Sequence, residues 1–532
     1  MSTDVAGPNA AQTFRSHWPD VEIPETPFAP FVLRRAAELG SKTAIVDGPS
    51  GRSYTYAQFA DAVHRVAFGL TRRGFGKGDV FAIYSPNLPE YAIAFFGVAL
   101  VGGVVTTINP LATAEELASQ LRDAGATRLV TVPPFLEKAR EAAGQTGIRE
   151  VFVFGEAEGA TPFAALLAED GPLPEVQIDP REDVVVLPYS SGTTGLPKGV
   201  MLTHYNLVAN LVQSNVVVPA GQDDVLIAIL PFFHIYGMVV LMGLGLYCGA
   251  TIVSLPRFDL EQFLQTMECY RVTRALVVPP IVLALAKHPL VDKFDLSSVR
   301  GVLSGAAPLG LDVAEACATR LGCIVKQGYG LTETSPVTHA NEDETNRAGS
   351  VGRALPNTEC KIVSVETGEA VGPGEPGEVC VRGPQVMKGY LNQPDATAQT
   401  IDEDGWLHTA DVGQLDADGY LYIVDRIKEL IKYKGYQVAP AELEALLAAH
   451  PSIADAAVIG VPDEEAGEVP KAFVVLKGKV SADEVMGYVA ERVSPYKRIR
   501  LLEIVDQIPR SASGKILRRV LIEQERERAA AR

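Results

Sequence analysis

Two kinds of apolar periodicity alternate along the N-terminal part of the chain. In Tyr56–Arg72, apolar side chains recur every three or four residues, which predicts an amphipathic helix. Short apolar runs between such helices predict strands, and the repeated strand–helix order predicts parallel sheets covered on both faces. The predicted strands are 42–46, 80–85, 103–108, 129–132 and 151–154 in a first series, and 225–230, 250–253, 275–278, 301–304 and 323–326 in a second. The other predicted helices of the first series are 89–101, 114–124 and 136–143.

The pattern changes after about Ala348, where glycines and short alternating strands predict a small β-barrel subdomain. These strands are 361–364, 377–382 and 419–424. Beyond Asp425, two helices (440–449 and 482–493) and three strands (453–460, 471–476 and 500–505) form an α+β pattern. We therefore expect an α/β protein with two doubly wound parallel sheets and the β-barrel in an N-terminal domain (1–425), and a smaller α+β domain (426–532) behind a tight hinge.

Two uncharged stretches are long enough to be considered as membrane spans. They are residues 91–114 and 225–256, and each is interrupted by several glycines and at least one proline. No Lys/Arg-rich flank marks either of them, as the positive-inside rule would require. Buried helices and strands of a large α/β core explain both stretches, and we expect no membrane span.

The amino-acid composition argues against several classes of function and site. The 532 residues include 47 Lys and Arg against 65 Asp and Glu, a formal net charge of −18, which argues against nucleic-acid binding. The six cysteines form no CxxC pair, so neither a structural zinc site nor a disulfide framework is expected. We find no signal peptide, prenylation box or peroxisomal tripeptide, and we expect a cytoplasmic protein.

The sharpest chemical signal is the loop 189–199, Tyr-Ser-Ser-Gly-Thr-Thr-Gly-Leu-Pro-Lys-Gly. It follows the apolar strand 184–187 and precedes a helix that we expect to begin near Thr203. Small and hydroxyl-bearing residues let backbone N–H groups approach a polyphosphate, and Lys198 adds a mobile positive charge. The spacing is not that of a Walker A loop, because Pro197 stands where the second glycine belongs, and no kinase loop set is present. A flexible loop without function is the alternative.

Three further segments carry polar side chains beside glycines. In 327–333, Gln-Gly-Tyr-Gly-Leu-Thr-Glu, Thr332 can reach a phosphate and Glu333 can hold the Mg²⁺ that accompanies ATP. In 405–413, Asp411 is a candidate to accept hydrogen bonds from both ribose hydroxyls. Lysines 428, 432 and 434 follow it, and they would suit a solvated helix face if they stood alone. The fourth segment, 508–516, is a loop that contains Lys515.

Together these segments resemble the adenylate-forming superfamily of acyl-CoA synthetases, luciferases and nonribosomal adenylation domains. The resemblance extends from about Pro27 to Arg519 and is greatest to 4-coumarate:CoA ligases. It rests on strings 189–199, 230–236 (Leu-Pro-Phe-Phe-His-Ile-Tyr), 328–333 and 432–443 (Lys-Tyr-Lys-Gly-Tyr-Gln-Val-Ala-Pro-Ala-Glu-Leu).

The resemblance implies a role for each matching residue. Residues for ATP or AMP would be Ser190, Ser191, Gly192, Thr193, Thr194, Lys198, Ala306, Gln327, Gly328, Tyr329, Thr332, Asp411, Arg426 and Lys428, with Glu333 for Mg²⁺. Lys515 would be the catalytic lysine of adenylation, Asp425 the hinge of a mobile C-terminal domain, and Lys432 and Gln437 would act on its hinge-side face. Arg257, Lys434 and Gly435 would bind CoA. His234 would gate an acyl pocket lined by Tyr236, Gly237, Val240, Pro279, Gly305 and Ala340.

The implied activity is an ATP-dependent carboxylate:CoA ligase that forms an acyl-adenylate and then a thioester, with Mg²⁺, ATP and CoA, as a monomer or homodimer. Tyr236 and Gly237 suit a flat cinnamate- or 4-coumarate-like acid, whereas Val240 stands where plant coumarate ligases often have a hydroxyl-bearing residue. A medium-chain fatty acid, a luciferase-like reaction and the loading of a carrier protein stay open. A non-catalytic nucleotide-binding regulator should have lost Lys515 or Glu333, and this chain keeps both.

Overall fold

The structure is a computed structural model that describes residues 13–190, 197–218, 220–434, 436–463, 465–511 and 514–530. Strands and helices are numbered along the chain. The strands are β1 Phe14–Arg15, β2 Thr43–Asp47, β3 Ser53–Thr55, β4 Val80–Tyr84, β5 Val104–Ile108, β6 Ala126–Thr131, β7 Glu150–Val153, β8 Thr161–Pro162, β9 Val184–Ser190, β10 Lys198–Thr203, β11 Val225–Ala228, β12 Thr251–Ser254, β13 Arg274–Val277, β14 Gly301–Ser304, β15 Ile324–Gly330, β16 Val337–Ala340, β17 Arg353–Ala354, β18 Glu359–Val363, β19 Gly377–Arg382, β20 Gly389–Tyr390, β21 Leu407–Leu415, β22 Leu421–Arg426, β23 Ile431–Tyr433, β24 Tyr436–Val438, β25 Ile453–Asp463, β26 Gly467–Leu476 and β27 Leu501–Ile504. The α-helices are α1 Phe28–Leu33, α2 Ala36–Leu39, α3 Tyr56–Arg72, α4 Pro89–Leu100, α5 Ala114–Asp123, α6 Leu136–Ala143, α7 Ala164–Leu167, α8 His204–Val217, α9 Leu244–Cys248, α10 Leu260–Cys269, α11 Pro279–Lys287, α12 Leu311–Leu321, α13 Pro394–Thr400, α14 Pro440–Ala449, α15 Ala482–Ala490 and α16 Arg518–Ala530.

Two large sheets confirm the predicted α/β class. One has eight strands in the order β20-β10-β9-β5-β4-β6-β7-β8, and the other has nine in the order β17-β16-β15-β14-β13-β11-β12-β2-β3. Their central strands are parallel, and antiparallel strands occur only at the ends of each sheet. Strand β2 precedes the strands of the first sheet in the chain, yet it pairs with β12 in the second, so the two sheets are interleaved along the sequence.

The largest apolar core lies between these sheets and includes α1, α3 and α4. Phe28, Phe95 and Phe96 form an aromatic cluster there, with ring centroids 5.4–6.3 Å apart. Helix α4 from residue 91 onward falls in one of the two uncharged stretches, and all the residues of the helix except Leu100 are buried. Core burial therefore accounts for its composition, and among the described residues we find no helix that is both long and apolar enough to cross a bilayer.

Two smaller sheets follow. The subdomain predicted as a β-barrel is an antiparallel sheet in the order β1-β18-β19-β21-β22, whose end strands are not paired with each other in the described part of the chain. The last sheet has the order β24-β23-β26-β25, with β27 added beside β26, and α14 and α15 pack on it. All six cysteines are free, as expected from their spacing.

Two of the elements that were not predicted contain predicted site residues. Strand β10 begins at Lys198, inside the segment 189–199 that we predicted to be a loop, and it ends at Thr203, where we expected the helix to begin. The segment Tyr236–Gly243 is a π-helix in which every residue is buried. Because such a segment has no polar face, its sequence carries no helical period from which its bounds could be predicted.

Candidate active site

The antiparallel strands β9 and β10 form a hairpin that contains the two ends of the loop 189–199, which we name the phosphate loop. Ser190 ends β9 and pairs directly with Lys198, the first residue of β10. Predicted site residues Ser191, Gly192, Thr193 and Thr194 lie outside the described residues. The Lys198 side chain is buried, and its ammonium lies 4.8 Å from the centre of the Tyr390 ring, within range of a cation–π contact. The hairpin thus fixes Lys198 at the base of the loop.

Glu333 lies beside the same hairpin, in a short 3₁₀ turn that also contains Thr332. Ser190 Oγ donates a hydrogen bond of 2.7 Å to Glu333 Oε1, and the Tyr390 hydroxyl donates one of 2.9 Å to the same oxygen. Met387 N–H binds the Glu333 carbonyl and holds the turn against the end of the subdomain. This buried carboxylate with adjacent hydroxyls is an oxygen donor set that fits Mg²⁺.

Asp411 lies on β21, directly opposite Arg426 of β22. Its carboxylate accepts a 2.6 Å hydrogen bond from the Tyr329 hydroxyl, and Arg426 Nε lies 3.1 Å from its other oxygen. Burial raises the pKa of Asp411 even though the Arg426 charge opposes that shift. Two segments 82 positions apart in the sequence, 327–333 and 405–413, therefore meet at this carboxylate.

Three of the residues predicted for ATP or AMP, Ala306, Gln327 and Gly328, lie after β14 and on β15. Ala306 follows β14 with a left-handed backbone (φ 69°). The side-chain amide of Gln327 is bound on both sides by the backbone of Leu309, with a 2.9 Å hydrogen bond from Leu309 N–H. Gln327 thus holds the loop that contains Ala306, and Gly328 pairs with Ala340 of β16.

Lys515 reaches this site from the C-terminal part of the chain. Burial and the charge of Arg426 lower the pKa of Lys515, and the Asp411 and Glu333 carboxylates act in the opposite direction. Burial and the Lys515 charge together lower the pKa of His234 to about 3, so this imidazole is neutral at physiological pH. The structure therefore brings together the four separate segments that contain His234, Glu333, Asp411 and Lys515.

A residue that we did not single out anchors the Lys515 loop. Arg510 forms a two-point ion pair with Asp455, with Nη2 and Nε at 2.6 and 3.1 Å from the two carboxylate oxygens. Its remaining terminal nitrogen donates to the Gly514 carbonyl at 2.8 Å. Such a planar bidentate pair restricts both partners, so it limits where Lys515 can lie.

The predicted hinge residue joins the two parts of the chain. Asp425 accepts hydrogen bonds from its own neighbour, Arg426 N–H (2.7 Å), and from Ala441 N–H (2.9 Å). Ala441 is the second residue of α14, where an N–H group has no partner within the helix. A carboxylate at this end also interacts favourably with the helix dipole. In this arrangement Asp425 therefore ties the last strand of the β-subdomain to α14.

A second ion cluster lies close to the hinge. Arg518, the first residue of α16, contacts Glu429 at 2.6 Å and Glu444 at 2.7 Å, and its Nε donates to the Val458 carbonyl. Glu444 also accepts a hydrogen bond from Val458 N–H at 2.8 Å. All three charged side chains are less than a quarter exposed. The cluster links α14, α16 and the turn after β22.

Burial raises the pKa of Glu444 to about 7, against the opposing charge of Arg518. Between its ordinary pKa and pH 7, the folded chain holds a proton that the unfolded chain releases, so stability falls as the pH rises through this window. In the wild type, we expect this titration to lower the free energy of unfolding by about 1–3 kcal/mol between pH 4.5 and 7. In Glu444→Gln, we expect this decrease to be absent. Urea unfolding at several pH values measures the free energy in both proteins. Glu442→Gln, an exposed neighbour paired with Lys497, is the control. Parallel stability curves for Glu444→Gln and the wild type would contradict the assignment.

The residues predicted for CoA and for the hinge-side face of the C-terminal domain lie outside the cluster of Glu333, Asp411 and Lys515. Lys432 and Gln437 face each other across the exposed hairpin β23–β24, and Lys434 pairs with Glu465 of the same domain at 3.6 Å. Arg257 is exposed in the segment after β12. Gly435 lies outside the described residues. Lys428 lies in the turn after β22. The arrangement in the structure thus places Lys515, rather than this hairpin, among the residues predicted for the nucleotide.

Comparisons with known proteins agree with this geometry. The family model of the AMP-binding enzyme matches residues 32–391, and that of the AMP-binding enzyme C-terminal domain matches residues 442–515. The chain belongs to the AMP-binding enzyme family.

Similar curated proteins include 4-coumarate–CoA ligase 3 of Oryza sativa subsp. japonica, 46% identical over 96% of this chain and 94% of the relative. 4-coumarate–CoA ligase 1 of Solanum tuberosum is 45% identical over 96% of each chain. Among solved structures, the anthranilate CoA ligase AuaEII in complex with anthranoyl-AMP is 28% identical with a TM-score of 0.89, and the match covers 96% of this chain and 99% of the other. This AMP-binding enzyme is accordingly an AMP-forming acid–thiol ligase that uses ATP and CoA.

The residues predicted for the acyl pocket of this AMP-binding enzyme include the buried Tyr236. Its hydroxyl donates to the Leu303 carbonyl at 3.1 Å, and its ring packs on Gly305, where a Cβ would lie only 2.9 Å from a ring carbon. Val240 and Ala340 are buried and apolar, and Pro279 begins α11. The Tyr236 hydroxyl is therefore already bound to the backbone.

The structure provides a packing reason for a glycine at position 237. A Cβ at this position would lie 2.2 Å from the Pro231 carbonyl oxygen and 2.8 Å from that of Leu230. The absence of a side chain thus allows the π-helix to pack on the preceding turn. The place of Gly237 in the acyl pocket stays a prediction, and backbone packing is a separate reason for a glycine at this position.

Proposed function

We propose that this AMP-forming ligase activates a cinnamate-like aryl acid. The observation that carries the proposal is the match over nearly the whole chain to relatives named 4-coumarate–CoA ligase, and the packing of the Tyr236 ring on Gly305 supports it. A medium-chain fatty acid is the second candidate, because Val240 offers no hydrogen bond to a ring hydroxyl.

The first half-reaction joins the acid to AMP. A carboxylate oxygen attacks the α-phosphorus of ATP, a new O–P bond forms, and the bond to the β-phosphate breaks to release pyrophosphate. Two anions must meet, so we infer that catalysis depends on positioning and on positive charge. Lys198 and Lys515 supply that charge near the phosphates, Thr332 binds the α-phosphate, and Asp411 with Arg426 holds the ribose.

Mg²⁺ would be held by Glu333, whose carboxylate has the oxygen donors that this cation prefers. When bound with ATP it supplies further charge neutralisation to the phosphates. The neutral His234 lies close enough to Lys515 to sense its charge, which supports a position at the boundary between acid and nucleotide.

In the second half-reaction the thiolate of CoA attacks the acyl carbon, a C–S bond forms, and AMP leaves. We propose that the domain beyond Asp425 rotates between the two steps, so that hairpin β23–β24 replaces Lys515 at the site. Lys432, Gln437, Lys434 and Gly435 would then face the substrates, with Arg257 near CoA. The exposed position of this hairpin in the present arrangement supports the proposal.

Substrate choice provides a direct test. We expect pyrophosphate exchange and CoA-thioester formation with cinnamate to exceed those with benzoates and C6–C12 fatty acids. We expect kcat/KM for cinnamate to be at least equal to that for 4-coumarate, because a ring hydroxyl against Val240 would lose its partner. Val240→Thr should shift the ratio toward 4-coumarate by roughly 2- to 10-fold.

Val240→Ala is the matched control, because it changes the volume of the side chain without adding a hydroxyl. A strong preference of the wild type for 4-coumarate, or equal shifts in Val240→Thr and Val240→Ala, would show that Val240 does not set this selectivity. Failure to release pyrophosphate with any organic acid would overturn the proposed function itself.

A further inference from the structure

Asp411 lies on an irregular part of its strand. Strands β19 and β21 pair Cys380 with His408 and Glu378 with Val412, so four steps along β21 correspond to two along β19. Two extra residues of β21 are therefore accommodated between His408 and Val412, one more than in an ordinary β-bulge. Bulges of this kind often occur beside active sites, where they redirect a side chain.

The backbone of the bulge adopts an unfavourable conformation. Ala410 has a φ of 57°, in the left-handed region that residues with a Cβ seldom adopt. Such a conformation persists when surrounding contacts determine it. Thr409 Oγ1 supplies two of those contacts, since it donates to the Val379 carbonyl at 2.8 Å and accepts from Asp411 N–H at 3.1 Å.

Glu378 supplies the remaining contact to the bulge on the side of β19. Its Oε1 accepts a 2.9 Å hydrogen bond from Ala410 N–H, and its Oε2 lies 2.9 Å from His408 Nδ1. Contacts with the Cys380 thiol and the Glu378 carboxylate raise the pKa of His408 to about 10, which favours its charged form. The Glu378 side chain is only 16% exposed, so these are shielded, charge-assisted hydrogen bonds.

We propose that Glu378 is a positioning residue that holds the bulge of β21 so that the Asp411 carboxylate meets the ribose hydroxyls of ATP. The proposal rests on the ribose-binding role of Asp411 given above. Glu378 touches neither nucleotide nor acid, and it acts through the Ala410 N–H. Its loss should therefore affect recognition of the ribose more than recognition of the phosphates or the acid.

The test compares ATP with 2′,3′-dideoxy-ATP in acid-dependent pyrophosphate exchange. We expect Glu378→Ala to lower kcat/KM for ATP by roughly 10- to 100-fold, mainly through KM, and to lower that for the dideoxy nucleotide by no more than about threefold. Glu378→Gln keeps an oxygen for Ala410 N–H and should give an intermediate loss. Glu359→Ala removes a carboxylate of similar exposure from the neighbouring strand β18, paired with Arg382, and is the control.

A double variant keeps the proposal testable if Glu378→Ala folds poorly. Glycine adopts a positive φ without a steric cost, so Ala410→Gly in the Glu378→Ala background should restore part of the preference for ATP. Equal losses with both nucleotides, or no rescue by glycine, would overturn the positioning role.

Asp411→Ala separates this inference from the proposed function. If Asp411→Ala abolishes the preference for ATP over the dideoxy nucleotide while Glu378→Ala leaves it intact, only the positioning role fails. If Asp411→Ala itself leaves the preference intact, the ribose-binding role proposed for Asp411 fails as well.

Discussion

Lys515→Ala should lower the rate of adenylate formation by about 10²–10³-fold and leave thioester formation from a supplied acyl-adenylate nearly unchanged. The reason is that Lys515 lies among the residues assigned to the nucleotide, where it interacts with Arg426, Asp411 and Glu333. In the second half-reaction the reacting bond is the acyl–phosphate bond, and the proposed rotation removes Lys515 from the site. Single-turnover measurement of each half-reaction checks both expectations.

The matched control is Lys479→Ala, which removes an exposed lysine from the same domain. It should alter neither half-reaction. Equal losses of both half-reactions in Lys515→Ala would contradict a role confined to adenylation. A variant of Lys432 or Gln437 on hairpin β23–β24 should show the opposite pattern, with thioester formation the more affected step.

Some elements whose limits are marked locally could be predicted from the sequence with the correct bounds. Helices α3 and α14 have the predicted bounds. In α3, the Thr55 side chain caps the first turn and Gln58 completes a capping box, and in α14 Pro440 occupies the first position. Strand β10 and the π-helix lack such signals, since one continues directly from a loop and the other is buried on every side.

The residues of the candidate site also fall into those that could be predicted from the sequence and those that could not. Glu333, Asp411 and Lys515 stand in glycine-containing strings, and those strings could be singled out by residue type and spacing. Tyr390 and Glu378 could not, because each is an ordinary strand residue until the fold brings it to a partner in another segment. The side chains that support the site therefore had to be found from contacts.

Arg518 is such a supporting residue, and Arg518→Ala should be the most destabilising substitution considered. It would leave Glu429 and Glu444 without their shared partner in a largely buried cluster. Removing one member of a buried ion pair typically costs about 3–5 kcal/mol, because the remaining charge keeps its desolvation penalty. We expect a loss of this order in the free energy of unfolding, measured by urea denaturation at pH 8.

The adjacent Arg519 provides the control, because its side chain is 78% exposed and pairs only loosely with Glu523 at 3.7 Å. Arg519→Ala should change the free energy of unfolding by no more than about 0.5 kcal/mol. Since Glu444 takes up a proton as the pH falls, the cost of Arg518→Ala should be smaller at pH 6 than at pH 8. Similar effects of the two arginine substitutions, or a cost that does not depend on pH, would show that the cluster does not stabilise the C-terminal domain. Adenylate formation should fall together with stability in Arg518→Ala, because Arg518 begins the helix that follows the Lys515 loop.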